Sequence, residues 1–149
     1  MELSDMFAGR EAMIADMQKR LIQVAAAEGL PLKLRTRTYN SRRAQELGKW
    51  AESQGAGDLF HHAVYRAYFV DGINIALIDE LVAIAHSIGL PADEARKVIE
   101  TGSYAAAVDT DWQLSRELRI TAVPTHIYEG KRLAGFGSYE DFERLIGKR

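Results

Sequence analysis

The sequence predicts a mostly helical α/β protein whose chain ends in a β-hairpin followed by one further helix. Up to Leu118, apolar side chains recur at three- and four-residue spacing between breaks at glycine and proline, which is typical of packed helices. After Pro124 the pattern changes to two short β-prone runs around a glycine. The chain has 149 residues, 47% of them hydrophobic, which suits one globular domain, or a compact piece of a larger one, with a sizeable core.

Six helices are predicted before the hairpin. Their ranges are Arg10–Glu28, 41–53, Leu59–Val70, 75–88, Ala92–Glu100 and 104–118. The first is expected to bury one apolar face, made of Ile14, Met17, Leu21 and Val24. Gly29 and Pro31 end this helix, Asn40 or Ser41 can cap the second, and Asp58 can cap the third.

The predicted hairpin leaves a strand edge without a partner. Its parts are a strand over Thr125–Glu129, a tight turn at Gly130-Lys131 and a return strand over Arg132–Phe136. Two strands alone are marginal in water, so one edge is expected to pair with something. Three explanations for the unpaired edge are open. One is that Leu32–Tyr39 is a further strand that pairs with it, instead of an extended connector. Otherwise a second copy of the chain pairs with this edge, or a preceding part of the fold that would pair with it is absent.

Composition excludes several classes of function. The formal charge of -2 and the absence of basic runs argue against nucleic acid, and no apolar stretch is long enough to span a bilayer. The acidic N-terminus shows no signal peptide, so we expect a cytoplasmic location. Because the chain has no cysteine, it has no disulfide framework, no thiolate zinc site and no cysteine nucleophile.

Pro124 stands directly before the first predicted strand. One interpretation is a plain connector from helix to strand, because proline lacks an N–H and restricts the residue before it. The other is a cis-proline loop that exposes the backbone of Val123, with which an extended peptide can pair as with a strand edge. The second interpretation assigns Val123, Pro124 and Thr125 to a substrate-binding loop.

Several segments, in their order and spacing, resemble the DsbA-like thioredoxin-fold family. This family includes bacterial DsbA-type oxidoreductases, 2-hydroxychromene-2-carboxylate isomerases and kappa-class glutathione transferases. The matching segments are YNS at 39–41, YRAYFVDG at 65–72, GSYAAAV at 102–108, AVPT at 122–125 and EGK at 129–131. With this resemblance, the cis-proline interpretation of Pro124 becomes the favoured one.

The resemblance implies an incomplete α/β thioredoxin-like fold. Residues 1–119 would form the helical insertion region, and residues 120–149 would form the C-terminal ββα half. The family's layout is strand, active-site helix, strand, helical insertion, hairpin and helix. Against that layout the sequence is expected to begin near the insertion and to lack the Cys-x-x-Cys nucleophile, so no catalytic residue is assigned.

The implied function is that of a thiol–disulfide oxidoreductase lineage that keeps substrate recognition without redox catalysis. A peptide thiol or glutathione would bind at Val123, Pro124 and Thr125. In the glutathione-using branches, the turn before the last helix holds the γ-glutamyl carboxylate, which here implies the Ser138 hydroxyl and the Tyr139 N–H. Ser138 and Asp141 also have capping-box spacing, so Ser138 is otherwise simply the N-cap of a helix reaching Ile146.

Three other functions stay open at this point. The chain could come from the glutathione-dependent isomerase lineage, which resembles 2-hydroxychromene-2-carboxylate isomerase. It could be a non-catalytic binding or structural module that forms a homodimer through the hairpin edge. It could also be completed as an enzyme by a separate polypeptide that carries the nucleophile.

The remaining polar and aromatic residues are interpreted as structural. His61 and His62 are adjacent and point to different helix faces, so they make a poor metal pair, and no metal site is assigned. His126 either tunes a thiol near the proline loop or packs as an ordinary strand residue. The basic side chains are expected to form a solvated face: Arg35, Arg37, Arg42 and Arg43. The aromatic cluster is expected to pack inside the helical region: Tyr65, Tyr68 and Phe69.

Overall fold

The computed structural model describes residues 2–6 and 9–148. The helices are α1 (Leu3–Met6), α2 (Glu11–Ala27), α3 (Arg42–Ser53), α4 (Gly57–Arg66), α5 (Ile78–Ser87), α6 (Ala92–Thr101), α7 (Ala105–Glu117) and α8 (Tyr139–Leu145). The strands are β1 (Thr125–Tyr128) and β2 (Lys131–Ala134). The predicted order of helices, hairpin and final helix is therefore confirmed. No helix in the described ranges is long and apolar enough to cross a membrane.

Contacts between residues divide the chain into two units, Met1–Val108 and Asp109–Arg149, called here the helical unit and the hairpin unit. In the helical unit, α3 packs against α4 and α6, and α5 packs against α6. The largest of its fully buried side chains are Phe60, Leu47, Leu81 and Val108. These residues come from helices far apart in sequence, so the burial of apolar surface holds the unit together.

The buried face of α2 differs in part from the predicted one. Met17 and Leu21 were expected in the core, but their side chains are 60% and 52% exposed. Among the side chains described in this helix, Ala25 is buried and Ile14 and Val24 are half-buried, and Gln18 donates a hydrogen bond from Nε2 to the carbonyl of Arg35 at 3.0 Å. The packed stripe of α2 thus keeps Ile14 and Val24 of the predicted face, whereas Met17 and Leu21 lie outside it.

Both residues predicted to cap α3 lie at its start, whereas the start and the end of α4 differ from expectation. Ser41 occupies the N-cap of α3, and its hydroxyl accepts from Gln45 Nε2 at 3.0 Å instead of capping the backbone, while Asn40 Oδ1 accepts the Arg42 N–H at 2.8 Å. Asp58 was predicted to cap a helix that starts at Leu59, but α4 begins two residues earlier, at Gly57, with Ala56 as its N-cap. This helix then widens into a π-helical turn over Ala67–Asp71, which Gly72 ends in the left-handed conformation.

Two of the four arginines predicted on a solvated face are half-buried instead. Arg42 bonds through Nε to the buried Glu46 at 2.6 Å and through Nη2 to the Ala105 carbonyl at 2.9 Å. Arg35 lies over the rings of Tyr68 and Phe69. The expectation was wrong for both, because each guanidinium meets partners that are distant in sequence.

The segment Leu32–Tyr39 forms no strand. It is extended and makes a single isolated bridge between Arg37 and Glu2, and the Lys33 N–H donates to the Phe69 carbonyl at 3.0 Å. The strand interpretation of this segment is therefore wrong, and the connector interpretation holds. Within the described residues, the sheet contains β1 and β2 alone.

The hairpin is antiparallel, with Thr125 opposite Ala134 and Tyr128 opposite Lys131. Its turn is Glu129-Gly130, where both residues have positive φ, 47° and 79°. The turn was predicted one residue later, at Gly130-Lys131. A two-residue turn of this kind needs positive φ at both central positions, and glycine satisfies the second of them.

Candidate functional site

The segment Thr121–Pro124, which joins α7 to β1, is irregular and exposed. The Val123–Pro124 peptide bond is cis. The Val123 side chain is 88% exposed, the highest exposure among the large hydrophobic residues of the described ranges. Neither its N–H nor its C=O has a hydrogen-bond partner among the described residues. Val123 thus presents an apolar side chain and two unpaired backbone groups to solvent.

Two hydrogen bonds fix the backbone on either side of Pro124. The Pro124 carbonyl accepts from the Gly135 N–H at 2.7 Å, which extends the hairpin pairing beyond β2. The Thr125 hydroxyl donates to the Ala122 carbonyl at 2.6 Å. Of the three predicted site residues, Thr125 therefore uses its hydroxyl within the loop, whereas Val123 keeps its backbone groups available.

Gly135 and Ala122 position the loop although the sequence did not single them out. Both act through backbone atoms, an N–H and a carbonyl, which every residue except proline can supply in full. Only the hairpin register places Gly135 across from Pro124. A side-chain pattern could not have revealed them.

The turn before α8 forms a complete capping box. The Ser138 hydroxyl accepts from the Asp141 N–H at 3.3 Å, and the Ser138 N–H donates to Asp141 Oδ2 at 2.7 Å. Asp141 also pairs with the Arg144 guanidinium. The N-cap interpretation of Ser138 is thus confirmed, and an anion at this helix start would compete with the Asp141 carboxylate.

The titration of two carboxylates reflects the same arrangement. The pKa of Asp141 is held below its ordinary value, mainly by the hydrogen bond from the Ser138 N–H and then by the bond from Arg144. The pKa of Glu140 is lowered by its own backbone N–H and by the Ser138 hydroxyl. Tyr139, the other residue of the predicted glutathione contact, has an exposed side chain.

Close packing joins the last helix to the hairpin. A Cβ atom added at Gly137 would lie 2.7 Å from Leu133 Cδ2, so glycine lets α8 approach β2. The His126 ring meets the Phe142 ring edge to face, with centroids 4.8 Å apart. His126 therefore packs as a strand residue. The structure shows no cluster of His, Asp or Glu able to hold a metal within the described ranges.

Comparisons with known proteins agree on one family. The family model described as DSBA-like thioredoxin domain matches residues 4–147. The protein YwbO of Bacillus subtilis (strain 168) is 30% identical over 101 residues, which cover 65% of this chain and 49% of that protein. The chain thus spans about half the length of this curated relative.

Two similar solved structures are of the cytosolic disulfide reductase DsbM from Pseudomonas aeruginosa, one of them with GSH. Each shares 18% sequence identity with this chain and covers 85% of it, while the chain covers 67% of DsbM. The TM-scores are 0.59 and, for the structure with GSH, 0.60. At this level of identity the likeness concerns the fold.

Proposed function

This chain belongs to the family of DSBA-like thioredoxin domains, and from that premise we propose that its Val123–Thr125 loop binds an extended peptide that carries a thiol or a disulfide. The observation that supports the proposal best is the state of Val123. Its side chain is exposed and its N–H and C=O lack partners within the described residues, and Pro124 alone separates it from β1. These groups have the chemistry of a free strand edge.

Peptide recognition at this loop would use main-chain hydrogen bonds. In an antiparallel pair, one residue exchanges both an N–H···O and an O···H–N bond with the residue opposite. Val123 offers this donor and acceptor, while the bonds from Gly135 and to Ala122 keep the loop in place. Recognition through the backbone tolerates many peptide sequences, which suits a protein that handles cysteine peptides of varied sequence.

The chain would orient such a peptide without attacking it. In thiol–disulfide exchange, a thiolate attacks one sulfur of a disulfide, a new S–S bond forms, and the other sulfur leaves as a thiolate. Because this chain has no cysteine, both sulfur groups must belong to other molecules, such as a peptide disulfide and a second thiol. We therefore expect the purified chain to show no turnover in an insulin-reduction assay.

Calorimetry with a blocked peptide tests the binding proposal. A neutral, extended peptide with an S-methylated cysteine is titrated into the full chain and into two variants. Val123→Ala keeps both backbone groups and is expected to bind within about twofold of the original chain. Val123→Pro removes the N–H and is expected to weaken binding by roughly tenfold, the effect of one lost hydrogen bond. Equal binding by the two variants, both shown by circular dichroism to be folded, would refute backbone recognition.

Glutathione is the second candidate ligand, favoured by the likeness to the DsbM structure with GSH. Its γ-glutamyl carboxylate would reach Ser138 and Tyr139 only by competing with Asp141. The matched variant Asp141→Asn removes the competing charge and keeps the side-chain shape. Tighter glutathione binding by this variant is the expected result, whereas no heat with either chain would remove glutathione from consideration.

An isomerase lineage would additionally require glutathione-dependent turnover of 2-hydroxychromene-2-carboxylate.

A homodimer through the hairpin edge is a further candidate, because β1 and β2 pair only with each other among the described residues. Ile127 and Tyr128 on β1 are both exposed and would be covered by a second copy. Sedimentation equilibrium at micromolar concentration separates the cases, with Ile127→Lys as the variant expected to favour the monomer. A monomeric original chain would eliminate this candidate.

For the location of the protein we propose the cytoplasm, since DsbM is described as cytosolic.

A further inference from the structure

The helical unit contains a cavity of about 340 Å³ that lies among residues of the 35–75 region. Its walls are mainly aromatic and aliphatic and include Phe60, Val64, Tyr65, Tyr68, Phe69 and Ile75. Pockets that bind small molecules usually have volumes of about 300–1,000 Å³, apolar walls and a few polar groups. The cavity therefore has room for a ligand at the small end of that range.

Arg35 is the polar group that distinguishes this cavity. Its Cζ atom lies 4.3 Å from the ring centroid of Tyr68 and 4.9 Å from that of Phe69, which holds the guanidinium by cation–π contact. Its Nη1 atom is buried without a hydrogen-bond partner in the described residues. The guanidinium as a whole is half-buried and lines the cavity, so an anion bound there would offset part of the hydration that its charge has lost.

The charge around the cavity favours an anionic acceptor. No aspartate or glutamate is among its lining residues, and the ionisable ones besides tyrosine are Arg35 and His61. His61 lies 3.6 Å from Glu52, whereas no ion pair is found for Arg35 within the described ranges. Burial lowers the pKa of Arg35, and no carboxylate offsets this desolvation. A carboxylate fits best, because its two oxygens match the planar donor fork of arginine.

The aromatic walls favour a flexible apolar chain over a flat ring. Tyr68 and Phe69 meet edge to face at 78°, with centroids 4.8 Å apart, and Arg35 covers both. Tyr65 stacks on Phe69 at 5.9 Å. Each of the three rings thus already has at least one face against a neighbouring ring or against Arg35. What they leave for a ligand is an uneven apolar wall, to which an alkyl chain adapts more easily than a rigid ring.

We propose that this cavity binds a small monocarboxylate with a flexible alkyl chain, held by the guanidinium of Arg35 and by the apolar wall. The carboxylate offsets the half-buried positive charge of Arg35, and the chain lies against Phe60 and Val64. The proposal goes beyond the peptide-binding function, because it involves neither the Val123–Thr125 loop nor a thiol. A failed peptide titration would therefore leave it standing, and a failed carboxylate titration would leave peptide binding standing.

Three probes separate the contributions of charge and chain. Octanoate, octan-1-ol and acetate are titrated calorimetrically into the full chain at constant ionic strength. Octanoate is expected to bind, while octan-1-ol lacks the charge and acetate lacks the chain, so each should bind at least roughly tenfold more weakly. If octan-1-ol binds as tightly as octanoate, or if octanoate gives no heat at millimolar concentration, the proposal is overturned.

A pair of arginine variants tests the assigned partner. Arg35→Met keeps an apolar stem and removes the guanidinium, and its affinity for octanoate should fall roughly tenfold or more. Arg37→Met makes the same charge change on the same extended segment, but Arg37 pairs with Glu2 outside the cavity, so its affinity should be unchanged. Equal octanoate affinity in both variants contradicts the role of Arg35.

A measurement on the original chain covers the case in which Arg35→Met does not fold. Nuclear Overhauser contacts between octanoate methylene protons and the ring protons of Tyr68 and Phe69 are expected. Contacts confined to residues after Asp109 would place the ligand elsewhere and overturn the proposal.

Discussion

The helical unit and the hairpin unit differ in where their side chains lie. Within the described residues, every buried hydrophobic side chain belongs to the helical unit except Leu145 of α8. The hairpin unit instead exposes Val123, Tyr139, Phe136 and the outer side chains of β1. One unit has a core made by tertiary packing, and the other is held by a tight turn, a capping box and close contacts between the hairpin and the α8 region. The contrast assigns most of the folding energy to the first unit and the proposed peptide recognition to the second.

Truncation of a core leucine tests the first half of this contrast and should have the largest effect. Leu81 is fully buried, so Leu81→Ala is expected to lower the free energy of unfolding by about 2–5 kcal/mol through lost burial and a residual cavity. Leu77→Ala, at a position 51% exposed, should change it by less than about 0.5 kcal/mol. Urea denaturation followed by circular dichroism measures both. Similar losses in the two variants would mean that the core does not dominate stability.

Gly137→Ala tests whether the hairpin unit depends on the contact between α8 and β2. The added methyl group would meet Leu133 Cδ2 at 2.7 Å, and overpacking of this kind costs about 1–3 kcal/mol. Hydrogen exchange should show lower protection in β2 and α8 and unchanged protection in α3 to α6. The double variant with Leu133→Ala should recover part of the loss. A double variant less stable than either single one would contradict the contact as the cause.

Ser138→Ala should have a smaller effect, confined to α8. Loss of an N-cap side chain costs about 0.5–2 kcal/mol. Ser103→Ala is the matched control, because the Ser103 hydroxyl is exposed and makes no hydrogen bond within the described residues. Amide exchange of α8 residues is the readout. Equal exchange in the two variants would show that the capping box contributes nothing.

The pH dependence of α8 gives the smallest expected effect. The pKa of Asp141 lies lower in the folded chain than its ordinary value of 3.8, so its bonds stabilise the fold above that value. This stabilisation is lost as the pH falls through the folded pKa. In the Asp141→Asn variant, the stability of α8 should therefore fall less steeply as the pH is lowered. The dependence on pH that remains should come from Glu140, whose pKa shifts in the same direction. The same loss of stability at acid pH in both chains would contradict the pairing of Asp141 with Ser138.

Local chemistry made the hairpin unit predictable. The hairpin, the capping-box spacing of Ser138 and Asp141, and the proline before β1 were all read from short-range patterns. The turn was displaced by one residue, because glycine can serve either central position and the sequence does not say which. The family resemblance was confirmed by the match over residues 4–147.

Tertiary partners limited the prediction of the helical unit. Periodicity located its helices but misplaced the packed face of α2, where Met17 and Leu21 are exposed. The sequence predicted surface charges at Arg35 and Arg42, because their partners lie many residues away. These partners are the rings of residues 68 and 69 for Arg35 and the Ala105 carbonyl for Arg42. The cavity around Arg35 could not be inferred for the same reason. The boundary predicted between residues 119 and 120, and the roles of Val123, Pro124 and Thr125, stay predictions.

The central claim, that Val123 offers its backbone to an extended peptide, is tested most directly by amide NMR during titration with the S-methylated cysteine peptide. A new hydrogen bond should move the Val123 amide proton downfield and slow its exchange, with smaller changes at Thr125 and Gly135. The helical unit should be unaffected. A saturable titration in which the Val123 amide does not move, or in which the shifts cluster in α3 to α6, would contradict the account.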